Sequence, residues 1–277
     1  MSDDFYVVPV SGGKDSQLTL AEAVDAHGRD NVLGVYHPTG FDHPLTLAHL
    51  DYMRDRYGVD IDETVAQYAD MRDLLDRRNA IPGRIARFCT EEFKIKAFTA
   101  WLDGFAQRVP LGRVVVLMGM RAAESRQRAE NYGELSPDDV FSLRDLNPKK
   151  IPKRHELVRC QLPIVDRTTP RVYADLRNRG DRINPLYERG HTRVGCYPCI
   201  LAGQRDYVLA AKDPIGRENV IMLRDFKALL VAAHEGKYEP EVIIEHDIDA
   251  LLDIADSDPF GFHETLTDGG GCSWCVG

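Results

Sequence analysis

A chain of 277 residues with 43% apolar and 29% charged content has room for one large α/β domain, or one domain with an appendage, and has the composition of an ordinary globular enzyme. Its net charge of −9 argues against a surface coated for nonspecific nucleic-acid binding. No apolar run approaches bilayer length and Met1-Ser2-Asp3-Asp4 carries no basic region, so a cytoplasmic protein with no membrane partner is expected.

The first predicted element is the apolar strand Phe5-Tyr6-Val7-Val8-Pro9-Val10. It runs straight into Ser11-Gly12-Gly13-Lys14-Asp15-Ser16, and then into a helix from Gln17 to His27 with Leu18, Leu20, Ala21 and Val24 at helical spacing. A turn in that place aims unpaired backbone N–H groups and the positive end of a helix dipole at an anion. Gly12 and Gly13 let the backbone come close to a ligand, Lys14 adds a point charge, and Ser11 and Ser16 offer hydroxyl donors. Asp15 suits an anion site once a divalent metal bridges carboxylate and phosphate. The spacing is not that of a Walker loop, which needs four residues between its glycines.

Further along, Asn31 to Tyr36 reads as a second buried strand. It ends in a polar turn holding His37 and His43, both expected as polar surface residues, before a helix that starts near Pro44. Val59 to Val65 alternates like a shorter strand, Glu91 to Gln107 is helical, and Val114 to Met118 is the expected central strand. Strands alternating with helices predict a doubly wound parallel sheet. The six-residue loop, the turn after Tyr36 and Gly119-Met120-Arg121 should then line one crevice at the strands' carboxyl ends. Arg121 is the preferred phosphate ligand there and Arg128 the second, because guanidinium presents a planar pair of donors. Arg126 is expected in solvent.

This nucleotide-binding α/β domain is placed at residues 1–165, and a helical, cysteine-bearing C-terminal region at 166–277. The latter holds helices over Asp206–Lys212 and Glu218–His234, an acidic stretch from Glu239 to Asp258, and a hinge at Gly269-Gly270-Gly271. Between Arg144 and Arg159, the cations Arg144, Lys149, Lys150, Lys153, Arg154 and Arg159 face only Asp145 and Glu156. That segment is either a solvated loop or a local patch for a polyanion such as DNA or tRNA.

The six cysteines are Cys89, Cys160, Cys196, Cys199, Cys272 and Cys275. In a reducing compartment two CxxC pairs read as a metal or redox site. Cys196 and Cys199 with Cys272 and Cys275 would supply four thiolates, enough for tetrahedral zinc or a [4Fe–4S] cluster. Cys160, in an apolar strand-like run, is expected to be buried and inert.

Ser11 to Ser16 resembles the PP-loop of the ATP pyrophosphatases, a group that includes the sulfate adenylyltransferase small subunit, tRNA thiolases and PAPS reductase-like proteins. Gly119 to Arg128 is similar to that last family's Gly-x-Arg-x-x-x-Ser-x-x-Arg segment. Pro163-Ile164-Val165-Asp166, Asn184-Pro185-Leu186-Tyr187 and Gly195-Cys196-Tyr197-Pro198-Cys199 resemble its second signature, with Arg167 where a tryptophan is common. The resemblance covers roughly residues 5 to 200 in separated blocks. It implies an adenine nucleotide alpha-hydrolase-like fold and, with ATP and Mg²⁺, cleavage between the α and β phosphates. Tyr36 to Gly40 would border the adenosine, and Lys14, Asp15, Arg121 and Cys89 would carry the chemistry. Cys89 also matches a position beside the later CxxC, which makes it a fifth candidate ligand. The implied activity is adenylylation of an acceptor for sulfur incorporation, as in DNA phosphorothioation ATP pyrophosphatases, with a sulfur donor such as a cysteine desulfurase. A sulfonucleotide reductase and a non-catalytic nucleotide-binding subunit are the alternatives. Of the metals, the [4Fe–4S] cluster is preferred over zinc, and a homo-oligomer is compatible with all three readings.

Overall fold

The computed structural model describes residues 4–83, 86–233 and 246–257. Its centre is a six-stranded sheet in the order β3-β2-β1-β4-β6-β5. The strands are β1 (Phe5–Val10), β2 (Val32–Tyr36), β3 (Ile61–Glu63), β4 (Val114–Leu117), β5 (Phe141–Ser142) and β6 (Arg159–Gln161). Pairing is parallel except at the edge, where β5 runs antiparallel to β6. β2 and β4 are buried along their whole length, as a parallel sheet covered on both faces requires. β3 is shorter than Val59–Val65, since only its first residue, Ile61, is buried at this edge.

Side chains alternate across the pleat, so neighbouring residues feed different cores. Val7, Val114 and Val116 join Phe98 and Leu102 on one face, while Val8, Val115 and Leu117 join Leu20 and Met53 on the other. The first face is covered by α5 (Ala97–Phe105). The helix expected from Glu91 begins as a short turn, α4 (Phe88–Thr90), and a wider π-type stretch over Glu91–Lys96 before α5. The other face is covered by α1 (Lys14–His27) and α2 (Pro44–Tyr57). Cys160 sits in β6 with no exposure, the inert core thiol expected.

A third apolar cluster joins α3 (Met71–Arg78) to the later part of the chain through Leu74, Phe93, Leu186, Tyr197, Tyr207 and Leu223. α6 (Arg126–Tyr132) lies between β4 and β5, and after β6 come α7 (Thr169–Asn178), α8 (Pro185–Glu188), α9 (Gln204–Lys212), α10 (Pro214–Ala233) and α11 (Ile248–Ser257). The two C-terminal helices expected at 206–212 and 218–234 correspond to α9 and α10, and α11 falls within the acidic stretch. Among the described residues no helix is long and apolar enough to cross a membrane. β1 pairs with β2 on one side and with β4 on the other, so the crossovers leave β1 in opposite directions and open a crevice at its carboxyl end.

Candidate nucleotide site

That crevice holds a cavity of about 210 Å³. Its walls come from the loop after β1 (Ser11, Lys14), the end of β2 (Tyr36, His37), the exit of β4 (Gly119) and the 192–199 segment. Three strand ends therefore meet where the alternating pattern placed them.

The loop is held from inside and from below. Gly12 takes φ +68°, and a Cβ built there would lie 2.8 Å from Thr46 Cγ2. Ser16 Oγ donates to the Gly13 carbonyl at 2.9 Å and accepts the Ser11 amide at 3.2 Å. Beneath the loop, Asn184 Nδ2 donates to the Gly12 carbonyl and to Thr46 Oγ1, each at 3.1 Å. Asn184 Oδ1 accepts the Leu186 amide at 3.0 Å, capping α8, while Thr46 Oγ1 donates to the Val194 carbonyl at 2.7 Å. Gly13, at the head of α1, supplies no side-chain cap, and the Lys14 amide donates instead to Tyr187 Oη at 3.2 Å.

The charges around the loop are paired in a chain. Asp15 receives Arg121 Nε at 2.6 Å and Lys14 Nζ at 3.0 Å, so both carboxylate oxygens are engaged. Arg121, expected on phosphate, is only 2% exposed and also donates to the Arg167 carbonyl at 3.4 Å. Arg128, the second choice, lines the cavity and is ion-paired with Glu124. Burial pushes the Glu124 carboxyl above its ordinary range against the pull of Arg128. Arg126 stands in solvent and bonds Glu130 at 2.8 Å, as expected. Lys14 Nζ lies 5.2 Å from the Tyr187 ring and 5.8 Å from that of Tyr173, which holds the ammonium between two aromatic faces.

The turn after β2 departs from expectation, because both of its histidines are buried. His37 is covered by Thr64, whose Oγ1 lies 2.9 Å from Nδ1, and by the edge-on ring of Phe98 at 5.6 Å. Burial, with the Lys94 charge as a lesser cause, pushes its pKa down to about 3 and keeps the ring neutral. His43 caps α2 by accepting the Leu45 amide at 3.0 Å, and its Nε2 stands 3.4 Å from Asp213. Thr64 and Phe98 cover His37, and Tyr197 and Asp213 meet His43, so a local polar pattern misjudges the turn. Tyr36 lines the cavity, whereas Gly40, at φ +71°, is in tight contact with Asp70 and is not among the lining residues.

Cys196 and Cys199 are half-buried and line the cavity, and Cys89 is partly buried against the third apolar cluster. Cys272 and Cys275 lie outside the described residues. No group of three or more His, Cys, Asp or Glu is arranged to hold a metal ion among the described residues. The expected grouping of Cys89 with Cys196 and Cys199 is therefore not found, and one CxxC pair is two donors short of a zinc or [4Fe–4S] site.

The basic segment also reads differently in three dimensions. Arg154 pairs with Asp103 at 2.7 Å, Lys150 with Glu91 at 3.3 Å, and Arg159 with Asp4. Arg144 donates to the Pro148 carbonyl at 3.1 Å, and Lys149 and Lys153 are exposed.

Residues 6–202 match the phosphoadenosine phosphosulfate reductase domain. The chain belongs to that family. It is 26% identical over 246 residues to an uncharacterised 37.8 kDa protein of Escherichia phage 186, with 71% of this chain and 67% of that one covered. An adenosine 5'-phosphosulfate reductase of Burkholderia cepacia is 28% identical over 169 residues, covering 59% of this chain and 58% of its own. An uncharacterised protein of Methanocaldococcus jannaschii is 28% identical over 204 residues, and the chain spans only 35% of its length. Among solved structures, a phosphoadenylyl-sulfate reductase of Candida auris in a phosphate complex superposes with a TM-score of 0.46 at 12% identity, covering 69% of this chain and 80% of that one.

Within this phosphoadenosine phosphosulfate reductase domain, sequence reading missed Thr46, Glu124, Asn184 and Tyr187 as parts of the site. Asn184 and Tyr187 belong to the Asn-Pro-Leu-Tyr block, but the loop atoms they bond lie 172 and 173 positions earlier in the chain. The available signal was the resemblance of that block to the family's second signature; by itself a stretch this dense in Pro and Gly reads only as a loop.

Proposed function

We propose that the protein is an ATP pyrophosphatase that adenylylates an acceptor for sulfur incorporation, with nucleic acid as the acceptor class. The observation that carries this reading is that five residues of the intact Ser11–Ser16 loop (Ser11, Gly13, Lys14, Asp15 and Ser16) and both Cys196 and Cys199 line one cavity. A triphosphate would lie against the head of α1, where Lys14 and Arg128 offset its charge. Mg²⁺ would arrive with the phosphates and supply further neutralisation of the leaving group. An acceptor oxygen attacks the α phosphorus, the bond between α phosphorus and bridging oxygen breaks, and pyrophosphate leaves with the electron pair. Arg121 acts by fixing Asp15, which in turn holds the Lys14 ammonium. Each Asp15 oxygen accepts one cation and keeps a further lone pair, so a metal on Asp15 would share the carboxylate with Arg121 and Lys14.

Sulfur delivery from a donor such as a cysteine desulfurase is assigned to the thiol side of the cavity. A zinc ion or [4Fe–4S] cluster there would need two ligands beyond Cys196 and Cys199. The test is product analysis of Mg·ATP turnover with DNA, tRNA and sulfate as acceptors. Pyrophosphate and an adenylylated acceptor are expected; ADP with orthophosphate overturns the reading.

The thiols in the cavity, together with the Burkholderia relative, favour sulfonucleotide reduction as the second reading. Sulfite release from adenosine 5'-phosphosulfate with a dithiol reductant, without any ATP turnover, would establish it over the first.

A further inference from the structure

Tyr187 stands over the head of α1. Its hydroxyl accepts the Lys14 amide at 3.2 Å, one of the N–H groups that a helix terminus turns toward an anion. The ring is fixed from several sides. Tyr173 meets it edge-on at 6.0 Å and 88°, Lys14 Nζ lies 5.2 Å from its face, and the Asn184 cap sets the start of α8. Gly13 is shaped to this contact, since a Cβ there would stand 3.1 Å from Tyr187 Oη. Tyr187 nevertheless lines the cavity. Burial, with the Asp15 charge as the next cause, holds the phenol protonated far above its ordinary range.

A phenol that accepts one hydrogen bond keeps a proton to donate. Among the described residues no acceptor is placed to receive it. We infer that Tyr187 is a direct ligand of the bound anion: it accepts the Lys14 amide and donates its own proton to a phosphate oxygen. The inference rests on the reading that this cavity binds nucleotide phosphates, and it adds a donor from the second half of the chain to the loop's own. It also relays polarity, because a phenol oxygen that accepts an N–H is a stronger donor through its O–H. The rival geometry has the Lys14 amide swing onto the phosphate and release Tyr187. The two predict opposite effects of deleting the hydroxyl.

The experiment is calorimetric titration of the full chain with Mg·ATP and, separately, with inorganic pyrophosphate. Tyr187→Phe keeps the ring and its contacts with Tyr173 and Lys14 while removing only the hydroxyl. Affinity for both probes should fall about ten- to a hundredfold, the range for a hydrogen bond to a charged acceptor. Gly13→Ala, which crowds the hydroxyl, should also weaken binding, and the double variant should lose less than the product of the two single losses. Thermal unfolding run alongside should place Tyr187→Phe within a few degrees of wild type. Unchanged or tighter binding by Tyr187→Phe, or strictly multiplicative losses in the double variant, overturns the inference and leaves nucleotide binding standing. Failure of the wild type to bind either probe overturns both.

Discussion

Replacing Asn184 by alanine removes the clasp that ties the phosphate loop to the second half of the chain. The side chain is fully buried and makes three hydrogen bonds: to the Gly12 carbonyl, to Thr46 Oγ1 and from the Leu186 amide. Thr46 keeps its bond to Val194, so the truncation orphans two buried groups, the Gly12 carbonyl and the Leu186 amide. Each such group costs about 1–3 kcal/mol, and the lost helix cap is contained in the second, which gives about 2–6 kcal/mol altogether. Against a total stability of about 5–15 kcal/mol this is a large fraction. Urea unfolding should show a lower midpoint at unchanged slope, and Mg·ATP affinity should fall because the Gly12 peptide is no longer held. Asn184→Asp keeps the acceptor for Leu186 but turns a carboxylate oxygen toward the Gly12 carbonyl, so it should bind ATP worse than the alanine variant. An Asn184→Ala protein within about 0.5 kcal/mol of wild type, with unaltered ATP affinity, would refute the reasoning, since that is the scatter of ordinary surface changes.

Gly12→Ala forces an L side chain to φ +68° and into Thr46; a loss of about 1–3 kcal/mol in urea unfolding is expected, together with loss of nucleotide binding by calorimetry. Arg121→Ala should cost about 3 kcal/mol, because it leaves Asp15 with Lys14 alone in a half-buried setting, and Arg121→Lys should recover only part of it; a neutral alanine variant in a denaturant titration would contradict the pairing. His37 and His49 are held neutral with pKa values of about 3 and about 4, whereas unfolded histidines bind protons near 6.5. The unfolded state therefore binds more protons between pH 6.5 and about 4, so stability is present above pH 6.5 and falls as the solution is acidified. The loss should reach about 2–3 kcal/mol for each ring at pH 4.5, and His37→Asn should flatten the dependence of the urea midpoint on pH.

What could be read in advance was what is local. The loop after β1, the buried runs of β1, β2 and β4, and the crevice at their ends follow from apolar patterning and short-range spacing alone. β5 has only two residues and no apolar run to announce it. His37 and His43 sit in a segment that looks solvated until Thr64, Phe98 and Asp213 arrive from elsewhere. Arg121 was placed correctly beside the loop, yet its partner is a carboxylate 106 positions earlier, and spacing carries no information about which anion a guanidinium meets first. The ion-pair partners of the basic run, Asp103, Glu91 and Asp4, likewise lie outside its window, so its charge count overstates the free cations. The CxxC spacing at 196 and 199 marked the pair as chemically interesting, but its place on the wall of the nucleotide cavity depends on tertiary geometry that no spacing specifies.

The bond from Asn184 to Gly12 spans 172 positions, and that from Tyr187 to Lys14 spans 173. Contacts of such separation form late, because the intervening chain must first be ordered. During synthesis the sheet's first four strands are complete once residue 117 has emerged, but the loop acquires its supports only when residue 194 is free of the ribosome. A stalled nascent chain ending near residue 165 should therefore show a protected sheet in hydrogen exchange and no grip on ATP. The loop at the front of this protein is braced by its back, so an unfinished chain is expected to carry the sheet without a preorganised loop.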